Sequence, residues 1–511
     1  MGPQLLMGVD IGTYSSKGVL ATPIGEVVAQ HTVEHDLIIP VPGWAEHDPE
    51  ETWWNEFAVI SRALLEKSGS KSADVAGVAI SAIGPAMVPV GRDGRALRRG
   101  VLYGIDTRAT KEISDLNDRY SSEAIYKLGG SMLTTQAVGP KILWLARNEP
   151  EVFAATSMIH SASDYIVLRL TGRHVMDAYT ASLYNPLFDI HGGTWSERFA
   201  EAIVSLDQLP PVHWATEVAG EVTPEAGDQT GLAAGTPVTV GTVDAVAEAV
   251  SVGAIRSGDL MCMYGTTAFF ILAADHVASH PATWTVYHGL PGVYGIAAGM
   301  ATTGALTRWF RDNFARDLLS PGEADDAYSA LAQEAAEAPP GSLGLVVLPY
   351  FSGERTPIND PEARGVVCGL TLAHHRSHVY RAILEGTAYG IAHNLEVMRQ
   401  AGGEPKRIVA VGGGAKNPVW LQIVSDVSGV PQQVPTQTIG ASYGDAFLAG
   451  YATGLIPALD VLDNEWVRIA RTVHPDETAH ATYRDYYALY RRLYDDTLTD
   501  QHALARLGRR D

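Results

Sequence analysis

Two stretches of this chain follow one short plan, and that recurrence limits the possible folds more than any other feature. Near the start, Met7-Gly8-Val9-Asp10-Ile11-Gly12-Thr13-Tyr14-Ser15-Ser16-Lys17-Gly18-Val19-Leu20 reads as an apolar strand, a tight Gly-Thr turn and a second apolar strand. About one domain length later, the run from Gly258 to Leu272, with Tyr264-Gly265-Thr266-Thr267 at its turn, repeats it. One plan used twice predicts an internal duplication and two similar lobes. A length of 511 residues is too long for one core and agrees with that division. The expected domains are 1–250 and 251–511, joined by a linker near Val243 to Asp259.

Each turn has a chemical reading. A Gly-Thr turn of this kind presents backbone N–H groups and hydroxyls to an anion. The acid that ends the first strand, Asp10, can organise a Mg²⁺ that bridges phosphate oxygens. Two such turns on facing lobes could clamp one polyphosphate.

Composition sets limits on partners. The formal net charge of −21 repels nucleic acid and anionic membrane surfaces. No apolar run is long enough to cross a bilayer, and Met1-Gly2-Pro3-Gln4 lacks the basic start of a signal peptide. The cytoplasm is the expected compartment. The 2 cysteines, Cys262 and Cys368, both sit in apolar runs and read as small core residues.

The remaining pattern is α/β. Glu50 to Leu65 has helical spacing, Val75 to Ile80 reads as a buried strand, and Asp93-Gly94 marks a hairpin. Ala338 to Ser342 reads as a surface loop, and His480 to Leu507 as a terminal helix.

Three further segments carry candidate chemistry. Val238-Thr239-Val240-Gly241-Thr242-Val243-Asp244 is a buried strand that ends in an acid before a helical run. Asp244 there is either a proton acceptor for a substrate hydroxyl or a helix cap. Gly299 to Phe310 is a glycine turn opening a helix whose N-terminus either meets an anion or packs. Val409-Ala410-Val411-Gly412-Gly413-Gly414-Ala415-Lys416-Asn417 runs a buried strand into three glycines, which let a flat ligand approach the backbone. It lacks the last glycine of a dinucleotide fingerprint.

Taken in order, these segments resemble the FGGY carbohydrate kinases of the actin/Hsp70/hexokinase-like ATPase superfamily. The most specific parts are Leu348-Pro349-Tyr350-Phe351-Ser352-Gly353-Glu354-Arg355-Thr356-Pro357 and the stretch from Gly365 to Gly386. The Pro42-Gly43-Trp44-Ala45-Glu46-His47-Asp48-Pro49 and Asp106-Thr107-Arg108 runs are similar to the xylulose kinase branch. The resemblance implies an α/β fold of two RNase H-like (actin-like ATPase) domains with the active site in the cleft between them. It implies ATP and Mg²⁺ as cofactors, a sugar or polyol acceptor such as a ketopentose, and a homodimer as one possible assembly. It assigns Asp244 as the catalytic base, and Asp10 with Asp244 to the metal. Thr13, Ser15, Ser16 and Lys17 match the first phosphate loop; Gly265, Thr266 and Thr267 match the second. Gly304 and Arg308 match positions lining the nucleotide, and Gly413, Gly414 and Asn417 match the adenosine site.

The acceptor pocket departs from that pattern. Xylulose kinases carry Gln-Met-His-Gly where this chain has Ile83-Gly84-Pro85-Ala86. A sugar site needs directed polar partners, so Trp44, Asp106 and Arg108 are the candidates to supply them beside Ile83, Gly84 and Asp244. Another polyol or ketose is an open alternative acceptor. A catalytically silent sugar or nucleotide sensor and an ATP-driven conformational protein are the rival classes; Asp10 and Asp244 speak against the first, and the Pro349 to Pro357 segment against the second. The histidines His374, His375 and His378 are read as solvated surface, Glu385 as structural, and Glu354-Arg355 as an internal ion pair.

Overall fold

The computed structural model of the chain describes residues 4–319 and 324–508. Met1–Pro3, which fall in the segment read as lacking a signal peptide, lie outside the described residues.

The first lobe is built on a seven-stranded sheet. Strands β1 (Leu5–Ile11), β2 (Ser15–Ala21) and β3 (Val27–Glu34) form an antiparallel meander. β1 also pairs in parallel with β4 (Val75–Ala82), placing Asp10 opposite Ser81. Beyond β4 lie β5 (Val218–Glu221), β6 (Pro237–Thr239) and the short β7 (Thr242–Val243), the last parallel to β4 with Thr242 opposite Ser81. The sequence of each strand explains its place. β1 is almost wholly apolar and buried on both faces, as a central strand must be. β3 alternates and shows one face to water.

The second lobe repeats this order. β8 (Asp259–Tyr264) and β9 (Ala268–Ala274) pair antiparallel, followed outward by β10 (Trp284–Tyr287) and β11 (Tyr294–Met300), with β11 between β9 and β10. On its other side β8 runs parallel to β12 (Arg407–Val411), then β13 (Gln432–Pro435), with β14 (Ile469–Val473) at the edge. The pairing β3-β2-β1-β4-β6 in one lobe matches β11-β9-β8-β12-β13 in the other. The expected duplication is therefore a property of the whole topology.

Helices cover the sheets and join the lobes. In chain order the ones that matter are α1 (Glu56–Ser68), α2 (Asp244–Ser251), α3 (Gly304–Phe314), α4 (Arg376–Gln400), α5 (Pro418–Ser428), α6 (Ala441–Ala452) and α7 (Glu477–Leu507). α2 follows the first sheet and α6 follows the second, and the two pack on one another; α6 also lies against β1 and β4. Their crossing is close: a Cβ on Gly444 would fall 1.9 Å from the Ala247 carbonyl oxygen. One apolar cluster at this crossing draws Leu6, Val246 and Val250 together with Met261, Val409 and Phe447, so the lobes share a core there.

Several local expectations change. The helix expected from Glu50 begins as a π-helix over Pro49–Asn55 and becomes α-helical at Glu56, with the Asp48 carboxylate capping the N–H groups of Glu50 and Glu51. The segment read as a linker is largely α2, a buried helix, because its Ala and Val residues face the other lobe. The Ala338 to Ser342 loop is anchored at one end: Gly341 N and Ser342 Oγ each donate to Glu385 at 2.9 Å. Cys262 is buried, but Cys368 is exposed at the end of a two-stranded edge. Among the described residues no helix is long and apolar enough to cross a membrane.

Candidate active site

The carboxyl ends of β1, β4 and β7 lie side by side, and this is where parallel strands present functional groups. Asp10 is near the end of β1, Ser81 near the end of β4, and Asp244 follows β7 as the first residue of α2. Ser81 Oγ stands 3.0 Å from Asp10 Oδ1 and 2.7 Å from Asp445 Oδ2, which also accepts the Ser81 N–H at 3.1 Å. Asp445 comes from α6. Asp244 Oδ1 accepts the Ala245 N–H at 2.7 Å; the helix N-cap is Val243, with no side-chain cap bond, so the capping reading of Asp244 is not the one the helix start shows.

These acids hold their protons unusually well. Burial pushes Asp244 up to about 8, reinforced by the charge of Asp10. Burial also lifts Asp10 to about 6, against the pull of the Ser81 bond and Lys17. Glu248, one turn along α2, rises to about 7 for the same first reason, with Asp10 adding to it. A cleft holding acids this reluctant to ionise is short of positive charge. That donor set fits a divalent cation with phosphate oxygens as co-ligands. Among the described residues no group of three or more His, Cys, Asp or Glu is arranged to hold a metal by itself.

The first Gly-Thr turn is closed by Gly12 N donating to Ser15 O at 3.0 Å. Two histidines brace it from behind. His35 Nε2 donates to Gly12 O at 3.2 Å while its Nδ1 meets Glu56 Oε2 at 3.0 Å. Both nitrogens face acceptors, and the Glu56 carboxylate holds the ring's pKa up against burial. His47 is the opposite case. Its Nδ1 accepts from Trp53 Nε1 at 3.2 Å and its Nε2 donates to Thr13 O at 3.1 Å, and burial drives it down to about 4. The carbonyls of Gly12 and Thr13 are thereby both held from within the first lobe. Thr13 and Ser15 are half-buried on the turn and Lys17 is exposed beside it. Ser16 points inward and donates to Glu56 at 2.5 Å; it is fully buried and cannot contribute its hydroxyl to the loop.

The second turn faces the first lobe with Thr266 and Thr267 exposed. Gly265 N donates to Thr267 O at 3.1 Å. The N-terminus of α3 packs against this turn: Gly304 N donates to Gly265 O at 2.9 Å and Ala305 N to Thr266 O at 3.0 Å. Those first N–H groups are consumed, so the packing reading of this helix start holds over the anion reading. The approach requires glycine, since a Cβ on Gly304 would lie 2.4 Å from the Gly265 oxygen.

Beside the second turn opens a cavity of about 390 Å³. Gly265, Thr266, Gly304, Arg308, Gly413, Gly414 and Asn417 all line it, with Tyr264, Tyr380 and Trp420 as aromatic walls. A Cβ on Gly413 would meet nothing within 4 Å. Asn417 caps α5, its Oδ1 accepting from Val419 N and Trp420 N at 3.0 and 3.1 Å. Arg308 is exposed at the rim, 3.8 Å from Asp312.

The acceptor side differs from expectation. Asp106 and Arg108 are buried and engaged with each other: Arg108 Nη2 donates to Asp106 Oδ2 at 2.7 Å. Arg108 also pairs with Glu46 at 2.9 Å and lies over Trp44, 4.1 Å from its ring centre. Asp106 holds Ala45 N at 2.7 Å. The Asp106 carboxylate is taken up by Arg108 and Ala45 N, while Arg108 Nη1 is buried beside Glu46 with no hydrogen-bond partner among the described residues. Ile83 belongs to the first-lobe core, and Gly84 lies half-buried against Val243. Trp44 stays half-buried.

Residues that sequence reasoning missed stand nearer Asp244. Tyr103 Oη is 3.5 Å from Thr13 Oγ1, and its phenol, raised first by burial, senses Asp244 and Arg355. Lys141 holds the backbone there, donating to Leu102 O and Tyr103 O at 2.6 and 2.9 Å; burial lowers it to about 7. Tyr179, from the short helix Ala178–Ser182, also senses Asp244. Tyr103 lies three residues before the Asp106-Thr107-Arg108 run, and that position was the only signal available. The expected Glu354–Arg355 ion pair does not form. The Glu354 carboxylate accepts backbone N–H groups of Ala301 and Arg355 at 2.6 and 2.8 Å, and the guanidinium turns to carbonyl oxygens. Glu385 is structural as expected: besides Gly341 and Ser342 it accepts from Arg381 Nε and Tyr483 Oη, both at 2.9 Å.

Comparison with known proteins agrees with this geometry. Residues 5–251 match the N-terminal domain of the FGGY family of carbohydrate kinases, and residues 260–453 its C-terminal domain. A xylulose kinase of Escherichia coli strain K12 is 31% identical over 97% of this chain and 99% of its own. An autoinducer-2 kinase of Yersinia enterocolitica is 30% identical over 97% and 95%. Among solved structures, xylulose kinase from Rhodospirillum rubrum superposes with a TM-score of 0.91 at 32% identity, covering 98% of this chain and 100% of that one.

Proposed function

The chain belongs to the FGGY family of carbohydrate kinases, and from that premise we propose that it transfers the γ-phosphoryl group of ATP to a hydroxyl of a ketopentose such as xylulose. The observation that carries this reading is Asp244, at the end of β7 and in the electrostatic reach of Asp10, Tyr103 and Tyr179. Asp244 takes the proton of the attacking hydroxyl, and Tyr103 and Tyr179 orient the sugar beside it. The two Gly-Thr turns hold the phosphates from either side, and the cavity at Gly413 and Asn417 takes the adenosine. A Mg²⁺ bound with the nucleotide, with Asp10 and Asp244 as its carboxylate neighbours, would neutralise charge on the phosphate oxygens. Closure of the lobes excludes water, so that the sugar rather than water receives the phosphoryl group.

The Tyr103 and Tyr179 phenols lie in electrostatic reach of Asp244, while Ile83-Gly84-Pro85-Ala86 replaces the family branch's Gln-Met-His-Gly, and this supports a ketose or polyol acceptor with its own selectivity. The test is ADP release over a panel of ketoses, aldoses and polyols, with Asp244→Ala as control. Sugar-dependent turnover is expected and should fall about 10²–10⁴-fold in the variant. Undiminished turnover in Asp244→Ala would remove the base assignment, and no sugar dependence with ATP still bound would favour a sensor.

A further inference from the structure

Arg355 is a half-buried cation whose position the proposed chemistry leaves unexplained. It sits in the loop after Glu354, on the second lobe. Its Nη2 donates to Met300 O at 2.9 Å and to Ala268 O at 3.3 Å. Those two carbonyls end β11 and begin β9, so the guanidinium lies directly under the second Gly-Thr turn and the start of α3. Its Nε is buried with no partner. Across the cleft the group that senses its charge is Tyr103, the phenol beside Thr13 of the first turn and near Asp244. Thus a guanidinium anchored through Nη2 lies against the strands that flank the second turn, in electrostatic reach of the Glu354 carboxylate and of Tyr103 beside the first turn, and no carboxylate forms an ion pair with it among the described residues.

A partly unsatisfied cation there costs desolvation unless an anion arrives. Carbonyl anchoring on one edge fixes a guanidinium's plane and leaves its other N–H groups to point at a planar or tetrahedral oxyanion. We propose that Arg355 is the second lobe's charge on the phosphoryl group in flight. This rests on the kinase reading above. In the step, the acceptor oxygen forms a bond to the γ-phosphorus, and the bond from that phosphorus to the β–γ bridging oxygen breaks. The electron pair leaves with ADP, and the hydroxyl proton goes to Asp244. Arg355 changes no bond; it donates hydrogen bonds to equatorial oxygens, whose charge needs neutralising most at the transition state.

The experiment compares wild type, Arg355→Ala and Arg355→Lys by steady-state kinetics with the best sugar of the panel, by slow ATP hydrolysis without sugar, and by affinity for ADP with magnesium and aluminium fluoride. A transition-state role predicts kcat at least about 100-fold lower in Arg355→Ala, with KM for ATP changed less than about threefold. ADP affinity should persist while the aluminium fluoride complex weakens. Added guanidinium ion at sub-denaturing concentration should recover part of the Arg355→Ala rate. If Arg355→Ala fails to fold, Arg355→Lys, which keeps the charge but not the fork, should still show the kcat-selective loss. A rise in KM with kcat intact, or equal loss of ADP and aluminium fluoride binding, would make Arg355 a brace for the second turn and overturn the proposal. Should no sugar be phosphorylated by wild type, the substrate reading falls separately, and sugar-free hydrolysis must still drop by the same factor or Arg355 falls with it.

Discussion

Asp445 on α6 and Asp10 on β1 meet the same hydroxyl, that of Ser81, at 2.7 and 3.0 Å. A serine has one proton to donate, so the two carboxylates cannot both be ionised and both be satisfied. Burial raises Asp445 far above the ordinary carboxylate range, and Asp10 and Asp244 raise it further against the Ser81 bonds, a shift toward its neutral form. It can then donate to Ser81 Oγ, which passes its own proton to Asp10. An acid of α6 in the second lobe thereby reaches the hydrogen bonding of an acid in the first.

Asp445→Asn should be milder than Asp445→Ala but not silent, because both Ser81 contacts meet the single oxygen Oδ2 and an amide oxygen placed there accepts from Ser81 but cannot donate to its Oγ. Asp445→Ala strands a buried N–H and should cost about 1–3 kcal/mol of stability, read as a lowered melting temperature. Equal damage from Asn and Ala would contradict this order.

The acid cluster also gives the unliganded protein a pH-dependent stability. Asp244, Asp10 and Glu248 stand at about 8, 6 and 7, above their ordinary values of 3.8, 3.8 and 4.5. A folded-state value raised in this way means that the native protein binds more protons than the unfolded chain between the two values. The contribution is complete below the unfolded values and is lost as pH rises through about 6 to 8. Melting temperature should therefore fall between about pH 5 and about pH 8.5. In Asp244→Asn the fall should be shallower, and the variant should melt above wild type at the alkaline end while losing activity. A wild-type profile that is flat or rises over this range would contradict the assignment.

What the sequence made legible is what was local. The strand–turn–strand units around Gly12-Thr13 and Gly265-Thr266, and the Gly413 to Asn417 segment, each announce themselves within a few residues. Contacts closed by topology left no such trace. Ser81 and Asp445 lie 364 positions apart, and only the parallel register of β1 with β4 and the docking of α6 bring them together. Asp106 and Arg108 are a related case: nothing local shows that Asp106 is buried against Arg108 and the Ala45 N–H. Ser16 looked like loop chemistry, but strand alternation turns it to the opposite face.

The cavity beside the second turn distinguishes two glycines that look alike in sequence. Gly413 faces open space, so Gly413→Leu should fold normally, fill the cavity and raise KM for ATP by about tenfold or more. Gly304 is pressed on the Gly265 carbonyl, so Gly304→Ala should distort the second turn and lower kcat as well as melting temperature. Differential scanning fluorimetry alongside ATP titrations separates the two. Matching effects in both variants would mean that the cavity is not where ATP binds.

The last consequence concerns the crossing of α2 and α6. At Gly444 a Cβ would fall 1.9 Å from Ala247 O and 3.0 Å from Ser251 N, backbone atoms that no side-chain rotation can move aside. α2 starts at Asp244 and α6 carries Asp445, so separating these helices separates the acids that define the cleft. Gly444→Ala should destabilise the protein by about 1–3 kcal/mol through overpacking. It should also lower kcat even at temperatures where the protein stays folded, because Asp244 moves with its helix. Gly450→Ala on the same helix is the control for helix packing in general: its Cβ would meet the Ile456 and Leu6 side chains at 2.6 Å, and flexible side chains can yield. Gly450→Ala should cost stability without a matching loss in kcat. Full activity in folded Gly444→Ala would show that the crossing does not position the base.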